Sequence, residues 1–354
     1  MSFSSSTAHL QDGNLIWYTD SGPVKDPSTY TSVVLIHGHA FNGQSRDIDV
    51  FEPLHEFAAK HRLRLFAINR RHFAGSSAYS DAELDDLRNG EPAFVDRLTV
   101  LLGHLVEYFI RKYDLPKPNA ERTAGGVMVL GWSLGCATAM TFLSNGKLFN
   151  AEQYELLRGY VRKLVLYDPG LVAFGFEGPA GSKPYAMHGN SLEEYYEKFK
   201  LNVGLYFDHP IDWDGDSAKL KSEPSSEIST TASWSSELWE KIYQPQSAAD
   251  SDWPLVIGPI QKVLRQVTER ALFDQACIAE NFPDLDVFHI VCWKSPAFAP
   301  LTYHRMKSLY AEKGASGNLT RSISFRVVKD VNHFWHWEMP QDFLQCLADA
   351  SQGK

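Results

Sequence analysis

Short apolar runs recur along the chain, each closed by a Gly-rich or polar loop and followed by residues at helical spacing. Ser32-Val-Val-Leu-Ile36 ends in His37-Gly38, and Arg64-Leu-Phe-Ala-Ile-Asn69 runs into Arg70-Arg71-His72. Val127-Met-Val-Leu130 meets Gly131, and Leu164-Val-Leu-Tyr167 meets Asp168-Pro-Gly170. Val287-Phe-His-Ile-Val-Cys-Trp293 and Ser324-Phe-Arg-Val-Val328 complete the series. Runs of this kind suit strands covered on both faces, as in a parallel sheet. Leu15-Ile-Trp-Tyr18, before a Ser-Gly turn, reads as an early edge strand. Between the runs, Phe94, Leu98, Leu101, Leu102, Leu105 and Phe109 fall on one helical face and predict a helix over 92–113. An amphipathic stretch covers 51–59, a further helix is expected over 303–313, and a last one starts after Pro340, whose fixed φ suits a first helical turn.

From 171 to 282 the rhythm changes. Pro, Gly, Ser and aromatic residues accumulate, strand-like runs vanish, and charged helical pieces are expected at 192–200 and 263–279. Strand–helix alternation on both sides of one irregular insertion predicts an α/β architecture. It is a mostly parallel sheet flanked by helices, with a helical cap inserted after the sixth core strand. The expected division is a core of residues 1–170 and 283–354 and a cap of residues 171–282.

Composition is ordinary for a globular chain, 44% hydrophobic and 22% charged, so a sizeable core is available. A net charge of −9 argues against a nucleic-acid or anionic-membrane surface. The four cysteines (136, 277, 292 and 346) are widely spaced without a CxxC pair, and read as buried thiols of a reducing compartment. The N-terminus lacks the pattern of a signal peptide, no apolar run reaches membrane-spanning length, and Gln-Gly-Lys is no peroxisomal ending. The expectation is a cytoplasmic monomer or homodimer acting on a small molecule. No Gly-x-Gly-x-x-Gly, P-loop or zinc-type Cys/His spacing occurs, so no cofactor or metal is implied. Asp212-Trp-Asp-Gly-Asp216 has its glycine misplaced for a calcium loop and no closing Glu.

The chemistry is concentrated at Gly131-Trp132-Ser133-Leu134-Gly135, between an apolar run and a small-residue helix. This is a G-x-S-x-G turn with a serine at its apex, where strand and helix crowd together and only small flanking residues fit. His37-Gly38 follows an early strand, Asp168 a later one, and Asn332-His333-Phe334 lies near the C-terminus with Glu-Met-Pro downstream. On these motifs, spread over roughly 15–350, the chain resembles the capped, serine-nucleophile α/β-hydrolases. Within them it resembles fungal toxin-pathway hydrolases and mycotoxin lactonases. The resemblance implies a triad in the order Ser133, Asp168, His333.

A serine hydroxyl needs an adjacent base; His333 fills that role, with His336 as its neighbour and competitor. The acid departs from the family's common pattern, because Lys294-Ser-Pro-Ala-Phe-Ala-Pro300 holds no carboxylate. Asp168 takes the position that a minority of the superfamily uses, and Asp330 is the alternative. Oxyanion donors would be the backbone N–H of Leu134 and of His39, with Ala40 as an alternative to the latter. Arg70 and Arg71 read as loop ties. His39, Trp132, Phe174 and Phe176 are candidates for contact with substrate, and aromatics such as Tyr185, Tyr195, Tyr196, Trp234 and Trp253 point to an apolar, partly aromatic pocket wall. Serine rather than a carboxylate at the apex leaves ester, thioester, lactone, amide or carbon–carbon hydrolysis. Ring-cleaving dioxygenases without cofactor and non-catalytic ligand-binding members share the same fold.

Overall fold

The computed structural model describes residues 3–26, 30–43, 49–178, 191–317 and 319–353. Its centre is one eight-stranded sheet, ordered β1-β2-β4-β3-β5-β6-β7-β8. The strands are β1 (Ser4–His9), β2 (Leu15–Asp20), β3 (Thr31–Ile36), β4 (Leu63–Ile68), β5 (Val127–Trp132), β6 (Val161–Tyr167), β7 (Asp286–Cys292) and β8 (Ile323–Val328). β1 pairs antiparallel with β2, and β2 with β4; every pairing from β4 to β8 is parallel. β3, β4 and β5 are buried at every position, as their unbroken apolar runs require.

Alternate residues of these strands enter two separate cores. Val34, Ile36 and Val129 join a cluster with the long helix Pro92–Tyr113, while Val33, Leu35, Met128 and Leu130 join another with the terminal helix Pro340–Ser351. Pro92 does open its helix, and the buried positions include all six apolar residues that defined it. Two expectations need correction, and one helix was not foreseen. The sheet edge is β1 rather than β2: β1 pairs along its whole length, although only Ala8 among its residues is buried. The stretch 263–279 is two helices, Gln261–Leu272 and Gln275–Glu280, because Asp274 caps the second by accepting from Cys277 N at 2.7 Å. A helix over Asp81–Asn89 goes unpredicted although Ser80 and Glu83 form a full capping box.

The insertion between β6 and β7 packs in two ways. Leu264, Val267, Ala271 and Leu272 lie in the same core cluster as β3 and β5. Tyr195, Tyr196, Trp234 and Tyr243 instead join the opposite cluster, with Phe41, Trp132 and Phe334. There Phe41 meets Trp234, Trp239, Tyr243 and Phe334 at ring-centroid distances of 5.2–6.1 Å. The aromatic part of the insertion therefore sits on the loops that follow β3 and β8. Tyr185 lies outside the described residues. Among the described residues no helix is long and apolar enough to cross a membrane.

Candidate active site

Ser133 stands between β5 and the helix Gly135–Thr141 with φ +54°, a left-handed conformation that costs a non-glycine residue about 1–3 kcal/mol. The surroundings hold it there. Ser133 N donates to Tyr167 O at 2.9 Å, and Cys136 N donates to Ser133 O at 3.1 Å. A Cβ on Gly131 would lie 2.6 Å from Cys136 Cα, and one on Gly135 2.4 Å from Ile36 O. Both glycines are thus required by close approach of strand, helix and neighbouring loop. A Cβ on Gly38 would come within 2.8 Å of Ser133 Cβ, so the loop after β3 lies directly against the apical serine.

Asp168 ends β6, also with positive φ (+48°), and its side chain is fully buried. Three donors converge on the carboxylate: Cys292 N at 2.7 Å on Oδ1, and Ser295 Oγ at 2.5 Å and His333 Nδ1 at 2.6 Å on Oδ2. An ionised carboxylate only accepts, so Nδ1 of His333 carries a hydrogen, and in the neutral ring Nε2 keeps its lone pair. The His333 ring lies tilted against Trp132, the residue before Ser133, at 5.0 Å, and Phe298 meets it edge-on at 5.1 Å. Its backbone is pinned as well. Trp132 Nε1 donates to His333 O at 3.1 Å, and Asn332 Nδ2 donates to Gly204 O and Thr230 Oγ1, both at 2.7 Å.

The competing residues are placed elsewhere. His336 is buried among Phe51, Trp132 and Phe343, with Nδ1 3.1 Å from Tyr167 Oη, and burial pushes it well below its ordinary value. Asp330 is exposed. Ala40 N donates to Asp252 Oδ2 at 3.2 Å and is already committed. By contrast, among the described residues nothing accepts from the N–H of Leu134 or of His39.

The expected substrate contacts separate. His39 is 2% exposed, stacked on Tyr196 at 5.3 Å and edge-on to Phe199 at 5.0 Å. Its Nδ1 is 3.2 Å from Asp252 Oδ2, and its Nε2 is buried without a partner among the described residues. Trp132 is fully buried, with its ring 5.0 Å from that of His333 and its Nε1 donating to His333 O. Phe174 and Phe176 are buried in the sheet's core, Phe174 beside His289 and Phe176 under the Arg265 guanidinium.

Two charged or polar partners escaped the sequence. Ser295 occupies the loop after β7, where the missing carboxylate drew attention to an absence instead of to the hydroxyl. Asp252 lies in the helix Pro245–Ile257, beside Asp250 and Ser251, with no motif around it. It is fully buried and ion-paired with Arg70 at 2.7 Å. Arg70 and Arg71 do tie loops: Arg70 bridges Gly38 O and Asp252, and Arg71 bridges Ala78 O and Glu83. His37 accepts from Arg70 N on Nε2 and donates from Nδ1 to Gly38 O, both at 3.0 Å. Burial, with Arg70 alongside, holds it neutral.

All four cysteines are free and buried. Burial raises the thiols of Cys136 and Cys292 well above their ordinary value, so neither offers a reactive thiolate. Among the described residues no group of three or more His, Cys, Asp or Glu is arranged to hold a metal ion.

A model of the alpha/beta hydrolase family matches residues 33–345. Among solved structures the chain is similar to VinJ, at 14% identity over 100% of this chain and 99% of that one, with a TM-score of 0.52. It is similar to the N-formylmaleamic acid deformylase of Pseudomonas putida S16, at 15% identity over 97% and 99% of the two chains and a TM-score of 0.52. The thioesterase domain from the curacin biosynthetic pathway follows at 12% identity over 99% of both, with a TM-score of 0.51. At such identities the likeness is one of fold. A search of curated protein sequences gives no match.

Proposed function

The chain belongs to the alpha/beta hydrolase family, and from that premise we propose that it is a serine hydrolase. Its substrate in this reading is an ester or lactone of a medium-sized apolar or aromatic, polyketide-like small molecule. The observation that carries the reading is the 2.6 Å contact of His333 Nδ1 with a buried Asp168 that two further donors hold in place. Asp168 fixes the imidazole's tautomer and stabilises the imidazolium, without taking the proton itself. His333 Nε2 then removes the proton of Ser133 Oγ as that oxygen attacks the carbonyl carbon. The oxyanion is received by the N–H of Leu134 and of His39; one such donor is worth roughly 3–4 kcal/mol in a model protease. Imidazolium returns its proton to the leaving alkoxide, and water repeats the sequence on the acyl-enzyme.

In this reading the cap lies within residues 171–282, where the helices Leu192–Asn202 and Ser236–Ile242 bring Tyr196 and Phe199 against His39 and Trp239 against Phe41. Apolar walls favour an apolar acyl or ring system. The unpartnered His39 Nε2 supplies one polar contact to it. The protein works in the cytoplasm as a monomer or homodimer. An ester and lactone panel on wild type and Ser133→Ala tests the reading: activity is expected in the first and a loss of several orders of magnitude in the second.

One observation favours a second reading. Asp168 follows β6, where cofactor-free ring-cleaving dioxygenases of this fold place their acid, and there the His–Asp pair deprotonates an aromatic hydroxyl. Oxygen-dependent turnover that survives Ser133→Ala would establish it.

A further inference from the structure

The loop that carries the His39 N–H is held from outside the core, by a residue of the insertion. The Gly38–His39 peptide is anchored through its carbonyl: Gly38 O accepts from Arg70 Nη2 at 2.8 Å and from His37 Nδ1 at 3.0 Å. In a planar trans peptide the C=O and N–H point in opposite directions. Fixing Gly38 O therefore fixes where the His39 N–H aims. The following peptide is fixed too. Ala40 has φ +60°, an uncommon conformation for alanine, with its N–H on Asp252 Oδ2 at 3.2 Å and its O accepting from Gln244 N at 2.8 Å.

Asp252 connects these contacts. It lies in the helix Pro245–Ile257, is fully buried, and meets Arg70 Nη1 at 2.7 Å, Arg70 Nη2 at 2.9 Å and His39 Nδ1 at 3.2 Å. Burial pushes its carboxyl up, but Arg70 and His39 outweigh this and hold it below the usual carboxylate range. Without this partner the buried guanidinium would lose its counter-charge and keep only Gly38 O and the Phe73 ring to hold it. One fork thus spans a core carbonyl and an insertion carboxylate, a bridge that a lysine's single ammonium cannot reproduce.

We propose that Arg70 and Asp252 are positioning residues that aim the His39 N–H at the developing oxyanion, so that the insertion must be seated for the oxyanion site to be complete. This rests on the serine-hydrolase reading above. It predicts a loss confined to the transition state and specific to oxygen. A thionoester, whose C=S is a poor hydrogen-bond acceptor, gains little from an aimed N–H.

The test compares an oxo-ester with the thionoester of the same acid and alcohol, in wild type, Asp252→Asn and Arg70→Lys. The serine-hydrolase reading is checked first and separately, by oxo-ester activity in wild type that Ser133→Ala abolishes. The two variants should then lose on the order of ten- to a hundredfold in kcat on the oxo-ester. KM should stay nearly constant, and the oxo-to-thiono ratio of kcat/KM should fall at least about tenfold. Should Asp252→Asn fail to fold by circular dichroism, Arg70→Lys, which keeps the charge, decides alone. A ratio unchanged in a folded variant overturns the proposal, whether both substrates slow equally or neither does.

Discussion

At the scale of single residues, the site rests on a buried carboxylate that three donors hold in place. Asp168 takes hydrogen bonds from a backbone amide, a serine hydroxyl and an imidazole, so its orientation depends on more than the histidine it serves. A hydrogen bond to a charged group contributes about 1.5–3 kcal/mol. Ser295→Ala, at a fully buried position, should therefore lower kcat roughly tenfold while leaving KM close to wild type, as steady-state kinetics on the best ester would measure. Ser133 and His333 were legible because their motifs are local. Ser295 and Asp252 were not, because their partners lie 127 and 182 residues away, and nothing in a local pattern distinguishes a buried Asp from a solvated one. Phe174 and Phe176 show the converse: an aromatic residue in an insertion is as apt to build a core as to line a pocket, and only packing decides.

At the scale of elements, legibility followed burial. β3, β4 and β5 announce themselves because they are buried at every position and most of their side chains are apolar. β1 is held by backbone pairing at the rim, where a Ser-Ser-Ser-Thr sequence costs nothing, so no hydrophobic pattern marked it. The break at Asp274 and the helix Asp81–Asn89 come from side chains that cap backbone N–H groups, which periodicity alone does not see. For the second of these, Ser80 and Glu83 satisfy each other's backbone donors in full. Ser80→Ala should cost about 1 kcal/mol in urea unfolding, as loss of an N-cap side chain does.

At the scale of the whole molecule, several histidines are folded in as neutral groups. His289 lies in the core between Phe174, Tyr303 and Phe325, with neither ring nitrogen hydrogen-bonded among the described residues, and burial lowers it from 6.5 to about 3. His37 and His336 are lowered in the same direction, burial again being the largest cause. Below pH 6.5 the unfolded chain binds protons at these positions and the folded chain does not. Their contribution is therefore full above the unfolded value and is lost as pH falls, at about 1.4 kcal/mol per pH unit for each histidine. Replacing His289 by Met should flatten the slope of unfolding free energy between pH 6 and pH 4 by about that amount. The check is urea unfolding of both proteins across that window, and an unchanged slope would show that His289 is not kept neutral.

The account as a whole turns on Ser133 being a nucleophile activated by His333 and Asp168. The direct measurement is labelling with a fluorophosphonate, located by mass spectrometry of the digested protein. One adduct, on Ser133, is predicted in wild type, with labelling sharply slowed in His333→Ala and Asp168→Asn. A folded wild type that gains no adduct at Ser133, or one labelled as fast without His333, would contradict the central claim.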